Sequence, residues 1–291
     1  MTGPMSADGA QPSLDDKVTL DGADDLHGVD VDTPNAARVY DYYLGGAQNF
    51  GSDRRFAEEV MSFFPEARDF ARNNRSFQQR AVRHVASLGV DQFLDLGSGI
   101  PTVGPTHETA RSVQPAARVL YADIEPVAIA HTELLLAKQD LTAEDGVSVL
   151  EGDLRDPAAI LASPVARTVL DTSRPVAVMI MGMLHFLADE DDPAALIAKY
   201  LGAFPAGSYL IASHATLDGP IGARVAQAAD KYAETKLPGH VRTKAQFAAM
   251  LPARLELLEP GITWNALWRP DTEVEHPERS VAYAAVGRTA G

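Results

Sequence analysis

The chain has 291 residues, 46% hydrophobic and 22% charged, with no cysteine and a formal net charge of −15. That composition is globular, and the missing thiols exclude disulfides, thiolate metal sites and cysteine-held iron–sulfur clusters. An acidic surface repels phosphate backbones and anionic membranes, which argues against nucleic-acid and membrane partners.

Residues 1–30 are polar and acid-rich, with no basic start followed by an apolar core. They predict a disordered tail, no signal peptide and a cytoplasmic protein. Residues 31–90 read as a helical cap. Thr33 is the expected cap of a first helix, with Pro34 in its first turn, running to Gly45-Gly46. Ser52 or Asp53 is the expected cap of a second, carrying Phe56, Val60 and Phe63. Pro65 opens a third, with Phe70, Phe77, Val82 and Val85 at helical spacing until Leu88-Gly89. Its arginines, Arg72, Arg75, Arg80 and Arg83, read as a solvated face.

From residue 91 to 291 the texture is alternating strand and helix. Strands are expected at Gln92–Leu96, Arg118–Asp123, Val147–Glu151, Val176–Met181, Tyr209–Ser213, Leu255–Leu258 and Val281–Val286, the last antiparallel. Helices are expected around Glu108–Val113, Pro126–Lys138, Ala158–Leu161, Pro193–Phe204, Gly219–Lys236 and Thr243–Leu251. Short apolar strands separated by helices mean βαβ units and a parallel sheet covered on both faces. The fold class is thus α/β, a Rossmann-like doubly wound sheet. The longest apolar stretch, from Val176 to Ala188, is interrupted by Gly182 and His185 and is too short to span a bilayer.

Three acids fall at strand ends, Asp95, Asp123 and Asp153, about one βαβ unit apart, and such ends converge on one crevice. Asp95-Leu96-Gly97-Ser98-Gly99-Ile100 is a strand running into a glycine turn, where bare backbone approaches a nucleotide-like ligand. An acid after the second strand accepts both hydroxyls of a ribose. One after the third accepts from an adenine amine, with Leu154 packing on the base. A dinucleotide fold wants a third glycine where Thr102 stands, and no P-loop follows, so a pyrophosphate is disfavoured. An acid immediately before the turn suits a zwitterionic methionine tail. The eight histidines are scattered without ligand spacing, so no metal is expected.

These residues resemble the motifs of class I S-adenosylmethionine-dependent methyltransferases: Asp95-Leu96-Gly97-Ser98-Gly99, Asp123, and Glu151-Gly152-Asp153-Leu154. Met183-Leu184-His185-Phe186-Leu187-Ala188-Asp189 is similar to their Leu-His-His-Leu-x-Asp segment, with Phe186 in place of the second His. Thr33 to Gly46, read with Asn49-Phe50 and Asp53, resembles the actinobacterial S-adenosyl methyltransferase family formerly listed as a domain of unknown function. The resemblance covers residues 33–286. It implies a seven-stranded sheet with an antiparallel last strand and bound S-adenosylmethionine. It implies that Gly97 and Gly99 line the methionine and ribose, with Ser98 also binding the cofactor, and that Asp123 holds the ribose hydroxyls, with Ile124 under the adenine. Asp153 and Leu154 would read the adenine, and Gly182 and Met183 would lie near the sulfur. The Asn/Asp-Pro-Pro-Tyr/Phe motif of nucleobase and amide methylation is missing, since Met181-Gly182-Met183-Leu184 stands there.

The expected activity is methyl transfer from S-adenosylmethionine to a small-molecule acceptor, in the manner of secondary metabolism. A non-catalytic S-adenosylmethionine-binding sensor and an NAD(P)-dependent oxidoreductase are the alternatives. The cap is the expected lid: Arg38 or Arg75 pairs with the donor's carboxylate, Tyr42 and Asn49 close over it, and Tyr40 and Tyr43 pack. His185 is the candidate general base, His214 the second choice, and His131 is expected to be exposed on its helix.

Overall fold

The computed structural model describes residues 30–235 and 237–291. The predicted tail, apart from Asp30, lies outside the described residues. Three helices come first: α1 (Ala36–Leu44), α2 (Gly51–Phe63) and α3 (Ala67–Ser87). The first begins two residues later than expected. Its cap is Asn35, not Thr33, because Asn35 Oδ1 accepts the N–H groups of Ala37 and Arg38 at 2.8 and 3.4 Å. Its end at Gly45 is as expected, in the left-handed region with φ 82°. The second starts at Gly51 behind Phe50. Asp53 serves it from inside the first turn, where its carboxylate accepts the Phe50 N–H at 2.8 Å.

The strands are β1 (Gln92–Leu96), β2 (Arg118–Asp123), β3 (Val147–Glu151), β4 (Ala177–Met181), β5 (Tyr209–Ala215), β6 (Leu255–Leu257), β7 (Thr263–Trp264) and β8 (Ala282–Thr289). They form one sheet in the order β3-β2-β1-β4-β5-β8-β6, with β7 paired to β8 beside that path. Strands β1 to β5 pair in parallel, and β8 runs antiparallel to β5, β6 and β7. The seven-stranded path is the expected one, and the two-residue β7 makes an eighth strand. Trp264 holds β7 in place by stacking on Tyr283 at 4.5 Å. The later helices are α4 (Thr106–Arg111), α5 (Pro126–Lys138), α6 (Pro157–Ala162), α7 (Pro164–Val169), α8 (Pro193–Gly202), α9 (Gly222–Lys231) and α10 (Lys244–Met250). Of these, α7 escaped the sequence reading.

Side chains alternate across each strand. Leu94 and Leu96 enter the core under α7, α8 and α10, while Phe93 faces the opposite layer, against Phe77, Val82 and Val85 of α3. Those three α3 residues are fully buried, worth about 1.5–3 kcal/mol each in apolar burial. The first half of α3 belongs to another cluster. Ala67 and Ala71 pack there with Val39 and Tyr43 of α1, Phe56 and Val60 of α2, and Val225 and Ala228 of α9. One continuous helix thereby carries the cap and fixes it to the sheet.

The arginine face of α3 is not uniformly solvated. Arg80 is buried and donates to the carbonyls of Trp268 and Asn265 at 2.9 and 2.8 Å. Arg75 is buried beside β1. His131 is buried as well, not exposed.

Candidate functional site

The strand order reverses between β1 and β4, where an α/β sheet opens a crevice beyond its carboxyl ends. A cavity lies there, with about 1280 Å³ of space counted out through its open mouth. Its floor is built from the tips of β1, β2 and β4, and its roof from the cap. Of the predicted site residues, Arg75, Asp95, Gly97, Ser98, Gly99, Asp123, Ile124, Gly182, Met183 and His185 all line it.

Asp95 is on the α3-facing side of β1, so α3 and α4 supply its partners. Thr106 donates to it at 2.6 Å, and Gln78 also reaches Thr106, at 2.8 Å. Burial pushes the Asp95 carboxyl up to about 6, opposed by the Thr106 hydrogen bond and Arg75. Arg75 donates from Nη1 to Gln78 at 3.0 Å, and its Nε is buried without a partner among the described residues. A buried guanidinium with a donor to spare suits a carboxylate. The Ser98 hydroxyl is likewise buried without a partner. Asp123 ends β2 and accepts from the N–H groups of Gly99 at 2.7 Å and Glu125 at 2.9 Å. Burial raises its pKa against these backbone hydrogen bonds. Gly97 has φ +66°, and a side chain there would run into Met183, so the glycine is what lets β1 and β4 open onto one space.

Five predicted residues fall elsewhere. Arg38 is buried in the cap and committed to Asp53 at 2.8 Å and Glu125 at 3.1 Å. Tyr42 donates to Glu58 at 3.0 Å on the exposed side of α1. Asn49 donates to Asp41 at 2.9 Å inside the turn between α1 and α2. The Asp153 carboxylate is held by Arg155 at 2.6 Å. Leu154 packs in the core, and its carbonyl accepts from Tyr200 at 2.8 Å. None of the five lines the cavity.

The sequence reading missed several lining residues, among them Asn74 and Gln78 on α3 and Tyr232 after α9. Asn74 accepts the Ser213 hydroxyl at 2.6 Å and donates to Tyr40 at 3.2 Å, and Ser213 in turn accepts the Gly182 N–H at 2.9 Å. A signal was present: Asn74, Arg75 and Gln78 interrupt the apolar stripe that runs from Ala71 to Val85.

His185 lines the cavity beside Phe70 and Phe186, at ring distances of 6.1 and 4.5 Å. Burial pushes its pKa down to about 3, with His214 and Arg242 adding to the effect. The Ala215 N–H points at its Nδ1 at 3.5 Å, which leaves the proton on Nε2. Such a ring is a weak proton acceptor at neutral pH. His214 does not line the cavity. Its Nδ1 bonds the Ala215 carbonyl at 2.6 Å, and its Nε2 lies 3.3 Å from Arg242.

These groups set an acid limit on stability. Burial also lowers His214, to about 4. An unfolded imidazole titrates near 6.5, so below that pH the unfolded chain binds more protons. Each of His185 and His214 then removes roughly 1.5 kcal/mol between pH 6.5 and 5. Asp95 works oppositely, because its folded pKa of about 6 exceeds the ordinary 3.8, and it returns about 1 kcal/mol over the same range. The urea midpoint is expected to fall from pH 6.5 to 5; a constant or rising midpoint would show that the imidazoles are charged in the folded protein.

The family model for S-adenosyl methyltransferase matches residues 23–290. A candidate methyltransferase from Thermobifida fusca is 38% identical, with a TM-score of 0.84, and covers 91% of this chain and 98% of its own. A DUF574 family protein from Streptomyces avermitilis is 37% identical at the same TM-score, covering 89% and 99%. An O-methyltransferase family protein from Burkholderia thailandensis, 17% identical with a TM-score of 0.50 over 81% of this chain and 62% of its own, shares the fold. No curated protein matches the sequence. The chain belongs to the S-adenosyl methyltransferase family, and its cofactor is S-adenosylmethionine.

Proposed function

We propose that the protein transfers the methyl group of S-adenosylmethionine to a small molecule held in the same cavity. The observation that carries this reading is the continuity of one cavity from the polar strand tips, past Gly182, into a space enclosed by the cap. When bound, S-adenosylmethionine supplies a sulfonium methyl, which passes to an acceptor lone pair as the carbon–sulfur bond breaks with its electrons left on sulfur. Asp123 holds the ribose hydroxyls, and Ile124, half exposed at the cavity wall, lies under the adenine. Asp95 and Arg75 take the ammonium and carboxylate of the amino-acid tail. Gly97, Ser98 and Gly99 let it lie against the turn, and Gly182 and Met183 border the sulfur.

Alignment and exclusion of water then carry the catalysis. The cap supplies the enclosure. His185 borders the reacting region as a neutral ring whose Nε2–H faces away from Ala215, a contact that orients the acceptor without taking its proton.

A crystal structure with S-adenosylhomocysteine tests the assignment. The sulfur is expected beside Gly182 and Met183, with the adenine over Ile124. A nucleoside bound outside this cavity, or a sulfur turned away from the space under the cap, would overturn it.

A further inference from the structure

We propose that the part of the cavity under the cap accepts a neutral, ring-bearing, largely apolar molecule with one hydrogen-bonding group presented at Asn74. This rests on the methyltransferase reading above and adds the chemical class of the acceptor.

The distribution of charge is the first observation. The Asp, Glu, Lys and Arg side chains that line the cavity among the described residues are Arg75, Asp95, Asp123 and Glu125, all at the strand-tip end. Beyond Gly182 the lining carries no formal charge apart from what His185 can titrate, and burial keeps that ring neutral. In a chain with 22% charged residues this is a selective surface. A carboxylate, phosphate or ammonium placed there loses its hydration and meets no counter-charge.

The walls supply the second. Phe70, Phe186 and Tyr232 face the space from three different elements. Phe186 and Tyr232 lie 5.8 Å apart and tilted by 44°, and Phe70 meets His185 edge-on. Rings presented at several angles reward a flat aromatic occupant through stacked and edge contacts.

The third is a polar group with capacity to spare. Asn74 is fixed by Ser213 on its oxygen and by Tyr40 on its nitrogen, and its Nδ2 would lie 3.2 Å from a Cβ at Gly182. Its second N–H thus sits at the boundary between the two halves. The Tyr43 hydroxyl, buried in the wall, is taken up by its neighbour Tyr232. One amide donor at the reacting end places a polar group of the occupant without compensating a full charge.

The test uses protein saturated with S-adenosylhomocysteine and three probes of one shape: naphthol, the anionic naphthoate and the cationic naphthylmethylamine, followed by fluorescence. Naphthol is expected to bind saturably and both ions at least about tenfold more weakly, the result of burying an uncompensated charge. Ala228→Phe, which fills the space from α9, is expected to abolish naphthol binding while S-adenosylhomocysteine binding, measured in the same sample, reports that the variant is folded. Equal binding of naphthoate or the amine, or no saturable naphthol binding by wild-type protein that holds S-adenosylhomocysteine, would overturn the proposal. Failure of S-adenosylhomocysteine itself to bind would strike the methyltransferase reading and take this proposal with it.

Discussion

Arg38→Ala is expected to lower the free energy of unfolding by about 3–5 kcal/mol, the cost of removing one partner from a buried ion pair. The guanidinium is 2% exposed and Asp53 is 0% exposed. It bonds Asp53 through Nε, Glu125 through Nη1, and the carbonyls of Asp30 and Thr33 through Nη2 at 3.0 and 2.8 Å. It also lies over the Phe50 ring at 5.0 Å. Without it, Asp53 keeps the N–H groups of Asn35 and Phe50, at 2.9 and 2.8 Å, but remains a buried anion with no cation. Asp53→Asn in the Arg38→Ala background is therefore expected to recover part of the loss. Urea unfolding measures both variants. The effect should reach the donor site as well, because Glu125 follows the β2 tip and also accepts from Asn35 at 2.5 Å. An arginine that bound the donor directly would behave differently, losing affinity with little change in stability.

That contrast shows what the sequence made legible. Strands β1, β2 and β3 were readable to the residue, because each is a short apolar run closed by an acid or a glycine turn. The residues at the β1, β2 and β4 tips followed into the cavity lining, since the open end of a parallel sheet is set by chain direction alone. The cap was readable as helices but not in its roles. Arg38, Tyr42 and Asn49 sit in a distinctive run of sequence, and distinctiveness carries no direction. In the structure that run closes on itself. Asp41 accepts from the Gln48 N–H at 2.8 Å, from Asn49, and from Thr102 at 3.0 Å. A side chain on Gly46 would collide with the Asp41 carboxylate, so the glycine pair serves the close turn as well as the chain reversal. Thr102 ties that turn to the loop after β1, which is where the missing third glycine of a dinucleotide motif would have been. The motif residues shape the roof, and the α3 residues behind them face the cavity. Periodicity marks Asn74, Arg75 and Gln78 as polar positions on a buried stripe, but only the packing of α3 across the β1 tip shows what they surround.

Asp153 and Leu154 illustrate a second limit. Their spacing after β3 matches the pattern for reading an adenine, yet the Asp153 carboxylate folds back on Arg155, whose Nε and Nη2 both reach it. Two residues apart, the two groups find each other locally, an outcome spacing between strands cannot foresee.

The claim on which the account depends is that the donor nucleoside is held at the β2 tip by Asp123. Its two oxygens already accept from Gly99 and Glu125, which fixes the carboxylate at the cavity wall, and a carboxylate has lone pairs beyond these for the ribose hydroxyls. A charge-assisted hydrogen bond contributes about 1.5–3 kcal/mol, so Asp123→Ala should weaken donor binding about 10- to 100-fold. Asp123→Asn, which keeps one acceptor oxygen, should fall between. The decisive measurement is a calorimetric titration of S-adenosylhomocysteine into wild-type protein and into folded Asp123→Ala. One saturable site in the wild type, weakened by one to two orders of magnitude in the variant, is the predicted result. Equal affinity in the two proteins would contradict it.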